Sequence, residues 1–363
     1  MRKLCLLACL VFCLVQPVSA SELQEELYER YGAGELSDSL PEDAAALLED
    51  VEPDEPADLL GEGTNILQKS VAQSGSFLKQ SIRLMMRLLL VAVLCQVVEA
   101  VSGESGNRIT SAAGTLAVTA LCIVDVKTMI GLGASTMAQL SDFSAVLLPV
   151  MASTAAASGA ISGAGASYAI AVFFSNILVR VSNGVIIPAL YALIGLAVAD
   201  AAIRQERLKQ LREFLSVLIK NGMKAIVYLY VGLLSVTGVL SGNTDVATLK
   251  AAKTTISTMV PVVGSIISGA AETVLSGAAL LRNAVGTFGM LAVLVMFLTP
   301  FLRIGINYLI LKVSSALCGV LGSKLTGMLD TVSTVTGLLL GMIGSCALMT
   351  LLSCCCFLKV VQL

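Results

Sequence analysis

The chain has 363 residues, 56% of them hydrophobic and only 13% charged, with a mean hydropathy of +0.88. Soluble domains carry about 25% charged residues, so a chain this apolar lacks the polar groups to cover a surface in water, and its composition predicts the bilayer as its solvent. It has no histidine and no tryptophan, which removes the imidazole general base, the Ser–His and Cys–His nucleophile pairs and the histidine metal ligand. The expectation is a non-enzyme without cofactor.

The net charge of −2 hides an asymmetry. Residues 21–62 hold fifteen of the twenty-five acidic residues and one base, Arg30, whereas twenty bases and ten acids follow from residue 63 onward. Neither part reads as a nucleic-acid-binding domain. Of the ten cysteines, Cys5, Cys9 and Cys13 fall near the N-terminus. Cys95, Cys122, Cys318, Cys346 and the run Cys354–Cys356 lie in apolar stretches, which argues against a disulfide framework.

In chain order, Arg2 and Lys3 precede an apolar run, Leu4–Val15, and then Val18-Ser19-Ala20. This is the pattern of a secretory signal over residues 1–20. The acidic segment 21–63, broken by Pro41, Pro53, Pro56, Gly61 and Gly63, is expected outside the cytoplasm and largely disordered. Residues 64–87 set Ile66, Leu67, Val71, Phe77, Leu78 and Ile82 against Lys69, Lys79, Arg83 and Arg87. That alternation predicts an amphipathic helix in the headgroup plane.

A helical membrane domain follows over 88–357, with a short tail at 358–363. Its apolar stretches are 88–101, 111–126, 143–163, 166–180, 184–199, 214–240, 287–311 and 331–357. Arg180, Asn183 and Gly184 interrupt 166–199, which predicts two short helices or a re-entrant pair there. The loop 200–213 carries Arg204, Arg207, Lys209 and Arg212 and is expected in the cytoplasm. Lys79, Arg83 and Arg87 fit that topology poorly unless they snorkel. Region 241–286 is rich in Gly, Ala and Ser and reads as amphipathic or re-entrant. The fold class is therefore all-α: a polytopic helical membrane protein with about seven to eight spans or re-entrant helices.

Two kinds of residue stand out in the membrane domain. Small residues recur every four positions at Ser265, Gly269, Thr273 and Gly277, and again at Gly337 and Gly341. Such stripes let helix backbones approach, either within the chain or in a ring of copies. Polar side chains within apolar stretches cost about 2.5–3.5 kcal/mol each unless paired or hydrated. They are Asp125 with Lys127, Arg180 with Asn183, Lys220 with Lys224, and Arg303 with Asn307. Pro149, Pro188, Pro261 and Pro300 each free a backbone carbonyl nearby. Broken helices beside polar groups are a transporter habit, so Lys220, Lys224, Pro300, Arg303, Asn307 and Asp125 are the candidate polar pathway. Snorkelling at helix ends is the plainer alternative. No Walker motif, dinucleotide fingerprint or metal-ligand cluster occurs.

One region carries a resemblance. Gly232-Leu-Leu-Ser-Val-Thr-Gly-Val-Leu-Ser-Gly242 is followed by Lys250-Ala-Ala-Lys253, by Val260-Pro-Val-Val-Gly-Ser-Ile-Ile-Ser268, by Glu272-Thr-Val and by Asn283-Ala-Val-Gly286. This order and spacing resemble the stage III sporulation protein AE family of endospore-forming bacteria. The resemblance implies a permease-like membrane component of the secretion-like channel complex between mother cell and forespore, supporting forespore development and late sigma-G activity. It also implies partners: the other stage III A sporulation proteins, including a cytoplasmic ATPase and ring-forming components, and stage II sporulation protein Q. It implies a place in the mother-cell membrane around the forespore, with the N-terminal segment outside the cytoplasm. It carries over no catalytic residue. Self-association into a homo-oligomer, a non-conducting scaffold role and a stand-alone secondary transporter remain as alternatives.

Overall fold

The computed structural model describes Glu29 and residues 34–48, 58–101, 104–158, 161–203, 206–236, 263–321 and 325–359. The expected signal, part of the acidic segment and residues 241–262 lie outside that set. Every element in the described residues is helical. Two short helices, α1 (Glu35–Asp38) and α2 (Glu42–Ala45), precede α3 (Leu59–Val101), α4 (Glu104–Ala157) and α5 (Ile161–Val181). A π-helical turn, Ser182–Ile186, joins α5 to α6 (Ile187–Ile203), and α7 (Glu206–Val236), α8 (Val263–Val320) and α9 (Thr326–Lys359) complete the bundle.

Six segments among the described residues are long and apolar enough to cross a membrane: Gly61–Val98, Leu116–Ala157, Gly165–Asp200, Leu208–Ser235, Ser276–Val320 and Thr326–Leu358. Among the described residues, two pairs of the expected apolar stretches each share one continuous path. The stretch 111–126 and residues 143–157 of the next both fall on α4, which runs unbroken for 54 residues. Hydroxyls in the gap and just beyond it turn back on the helix: Thr136 and Ser144, 1% and 3% exposed, donate to the carbonyls of Leu132 and Leu140 one turn back.

The stretches 166–180 and 184–199 likewise form one path. Pro188 has no N–H to return to residue 184, and its ring crowds that carbonyl. The backbone answers by widening into the π-turn rather than by breaking. Residues 64–87, expected in the headgroup plane, continue without interruption into 88–101 as α3. Residues 263–286 are the first half of α8 rather than a separate re-entrant element.

The last long helix, α9, is the centre of the bundle and packs against α4, α5, α6, α7 and α8. Its pairing with α8 is the most extensive, and α3 lies outside, against α8 and α4. Close approach there rests on glycines. A Cβ at Gly289 would lie 2.7 Å from Leu147 Cδ1 on α4, and one at Gly286 would lie 2.5 Å from Leu358 Cδ2 on α9. Part of the acidic segment is ordered against the bundle. Leu36, Ala44 and Leu48, spaced at helical intervals among the acids, are buried, and α1 and α2 touch α4 and α8.

Candidate functional site

The polar cluster sits where α3, α4 and α8 meet. Asn307, on α8, is 2% exposed, and its Nδ2 donates to Asp125 Oδ2 on α4 at 2.6 Å. The Oδ1 of Asn307 is buried without a donor. One turn earlier on α8, the Arg303 guanidinium lies 5.0 Å from the ring centroid of Phe77 on α3, a cation–π stack. Pro300, another turn back, lies inside α8.

Two cavities include members of this cluster in their walls, one between α3 and α4 and one that also reaches α8. One, of about 400 Å³, is lined by Asp125 with Arg83 and Arg87 of α3. The other, of about 220 Å³, is lined by Pro300, Arg303 and Phe77 with Thr136 and Gln139 of α4 and Asp43 from the acidic segment. The Arg303–Phe77 stack thus lines the second cavity, together with Pro41, Asp43 and Ala44 from the N-terminal segment, while Asp125 lines the first.

The sequence expectation grouped six residues, and four of them converge: Asp125, Pro300, Arg303 and Asn307. Lys220 and Lys224 do not join them. Both are exposed on α7, whose neighbours are α5, α6 and α9. Lys127, Arg180 and Asn183 are also exposed.

Of the small-residue candidates, Gly337 and Gly341 serve packing within the chain. A Cβ at Gly337 would lie 3.1 Å from Tyr308 Cε2 of α8, and one at Gly341 would lie 3.6 Å from Met223 Cε of α7. Gly277 is buried on α8. Ser265, Gly269 and Thr273 fall on the first turns of α8, with their side chains outside the described set.

Three features escaped the sequence reading. Arg83 and Arg87 share the larger cavity with Asp125, although they lie about forty residues before it in the chain. Arg282, 3% exposed, donates from Nη1 to Ser158 Oγ at 3.1 Å where α4 ends; its signal was a lone arginine beside the quoted Asn283 motif. Tyr230 places its hydroxyl 2.6 Å from Ser353 Oγ and donates to the Met349 carbonyl at 3.1 Å. Beside it is a void of about 10 Å³, enough for one water.

Six long apolar helices with a polar cluster among three of them define a polytopic helical membrane protein. Comparison with known proteins gives the family. The chain matches the family described as stage III sporulation protein AE over residues 55–360, and it belongs to that family. It is similar to the stage III sporulation protein AE of Bacillus subtilis (strain 168), at 21% identity over 244 residues. That match spans 66% of this chain and 61% of the relative. No solved structure matches the chain.

Proposed function

We propose that the chain is a permease-like component of the stage III A membrane complex between mother cell and forespore, and that α3, α4 and α8 line the part of the conduit it contributes. The observation that carries this reading is buried Asn307, bonded to Asp125 and with an unanswered acceptor, in a cluster whose Asp125 lines one cavity and whose Arg303, stacked on Phe77, lines another. A buried acceptor without a donor costs about 1–3 kcal/mol. It is relieved when water or a permeant donor reaches it, and polar backbone or side chains at membrane depth are tolerated where they border a cavity. In this reading Arg303 is the gate, and the helices at 35–45 cap its outer cavity.

The six-segment count agrees with an external N-terminus and a cytoplasmic 200–213 loop, because three crossings precede that loop, an odd number, as in the sequence expectation. The site lies in the mother-cell membrane around the forespore. The partners are those of the family: the cytoplasmic ATPase, the ring-forming stage III A proteins and stage II sporulation protein Q. The chain itself is not an enzyme in this reading.

The test is sporulation with Arg303→Gln and Asp125→Leu, alongside Lys224→Gln. The two cluster variants are expected to lower heat-resistant spore yield by an order of magnitude while the protein stays in the membrane. The Lys224 variant, exposed on α7, is expected to sporulate normally. Normal spore yield in both cluster variants overturns the conduit. A non-conducting scaffold is the second reading, favoured by the exposed apolar stripe of α3, with Leu67 at 51%, Val71 at 49% and Met86 at 60% exposed. Loss of partner co-purification from stripe variants, with cluster variants unaffected in every respect, selects it.

A further inference from the structure

Arg83 and Arg87 line the same cavity as Asp125, and the conduit reading above gives their charges no task. They lie one turn apart on α3, both exposed, and line the 400 Å³ cavity together with Gln80, Asp125 and Thr128. Neither forms an ion pair or hydrogen bond among the described residues. The carboxylate across the cavity is already engaged, accepting from Asn307 Nδ2 at 2.6 Å. The rest of the wall is apolar: Leu84 from α3, and Leu121 and Val124 from α4. The apolar surface continues outward on both helices through Leu90 (60% exposed), Leu116 (65%) and Val124 (68%).

We propose that this cavity binds the phosphodiester of an anionic membrane lipid, with Arg83 and Arg87 on the phosphate and the acyl chains laid along α3 and α4. Guanidinium pairs recognise phosphate oxygens through short, charge-assisted hydrogen bonds, and basic pockets between membrane helices are suited to lipid headgroups. The charge balance is selective. Two arginines against one carboxylate leave a single net positive charge, which matches a monoanionic phosphodiester. Asp125 disfavours a dianionic phosphate monoester. The exposed apolar track explains why a lipid, rather than a free phosphate ion, completes the site. The assignment stands whether or not the chain conducts.

The experiment uses the full chain purified in neutral detergent. Retained lipid is counted by native mass spectrometry during titration with dioleoyl-phosphatidylglycerol, dioleoyl-phosphatidylcholine or inorganic phosphate. Phosphatidylglycerol is expected to bind selectively, and inorganic phosphate is expected not to compete at equal concentration. Arg83→Gln and Arg87→Gln are each expected to weaken binding about fivefold, and Asp125→Asn is expected to tighten it. Arg180→Gln, an exposed arginine on α5, is expected to change nothing. Equal retention of the two lipids overturns the proposal. So does unchanged affinity in both arginine variants, or competition by inorganic phosphate that makes the tails irrelevant. The Asp125→Asn variant keeps a side chain that Asn307 can bond, so its gain or lack of gain is readable even where an arginine variant folds poorly.

Discussion

Asn307 and Asp125 stabilise each other only as a pair. In a membrane interior the alternative to the 2.6 Å bond is a carboxylate with no fixed donor. Asn307→Leu is therefore expected to cost about 1–3 kcal/mol of fold stability, read as an earlier midpoint in an SDS-titration unfolding curve. Glycines divide by surroundings rather than by helix propensity. Gly289→Leu drives atoms into Leu147, already 2.7 Å from an added Cβ, and is expected to destabilise by about 1–3 kcal/mol. Gly195→Leu enters open space, with no neighbour within 4 Å of an added Cβ, and is expected to leave the melting temperature unchanged. Each polar member of the cluster was visible in the sequence as an intruder in an apolar stretch. Their convergence was not, because Asp125 and Asn307 stand 182 residues apart and only the α4–α8 packing joins them. Lys220 and Lys224 have the same sequence signature but sit on α7, turned to the exterior.

The π-turn at Ser182–Ile186 is the clearest case of an element half read in advance. Arg180, Asn183 and Gly184, with Pro188 beyond, mark a discontinuity, and the structure has one at that place. What hydropathy could not tell is that a helix can absorb an unpaired carbonyl by one residue of extra winding and go on. A π-turn is equivalent to a single-residue insertion in an α-helix. Deleting exposed Asn183 is thus expected to convert the turn to ordinary α-helix and to keep α5 and α6 in register, but to lower the melting temperature by restoring the clash of Pro188 with the carbonyl one turn back, a loss that Pro188→Ala in the same chain is expected to relieve. Deleting Leu193, 1% exposed on α6, rotates every later contact of that helix by about 100° and is expected to abolish accumulation. The fused α4 escaped for a related reason: hydropathy counts the hydroxyls of Thr136 and Ser144 as polar, while the helix returns them to its own carbonyls.

The whole bundle is tied together at α9, which meets five of the other long helices. The α8–α9 hairpin also carries an ion pair, Lys312 to Asp330 at 2.6 Å, with both side chains about half exposed. Exposed pairs contribute about 0.2–1 kcal/mol, so Lys312→Gln is expected to shift the melting curve only slightly. Removing residues 326–363 is expected to leave a chain that inserts but is cleared from the membrane, seen as loss of steady-state protein with normal synthesis. Helix length matters at this scale as well. α8, at 58 residues, measures about 87 Å against a hydrocarbon layer of about 30 Å, so it is long enough to extend well beyond that layer. The position of α9 in chain order has a consequence for biogenesis. The ribosome delivers six long helices, α3 to α8, before the one that all but α3 pack against, and until it arrives the faces they turn to it meet lipid tails. Assembly of this protein is therefore a post-translational closing step, and a stalled or shortened message yields a resident but unfinished chain on which membrane proteases can act.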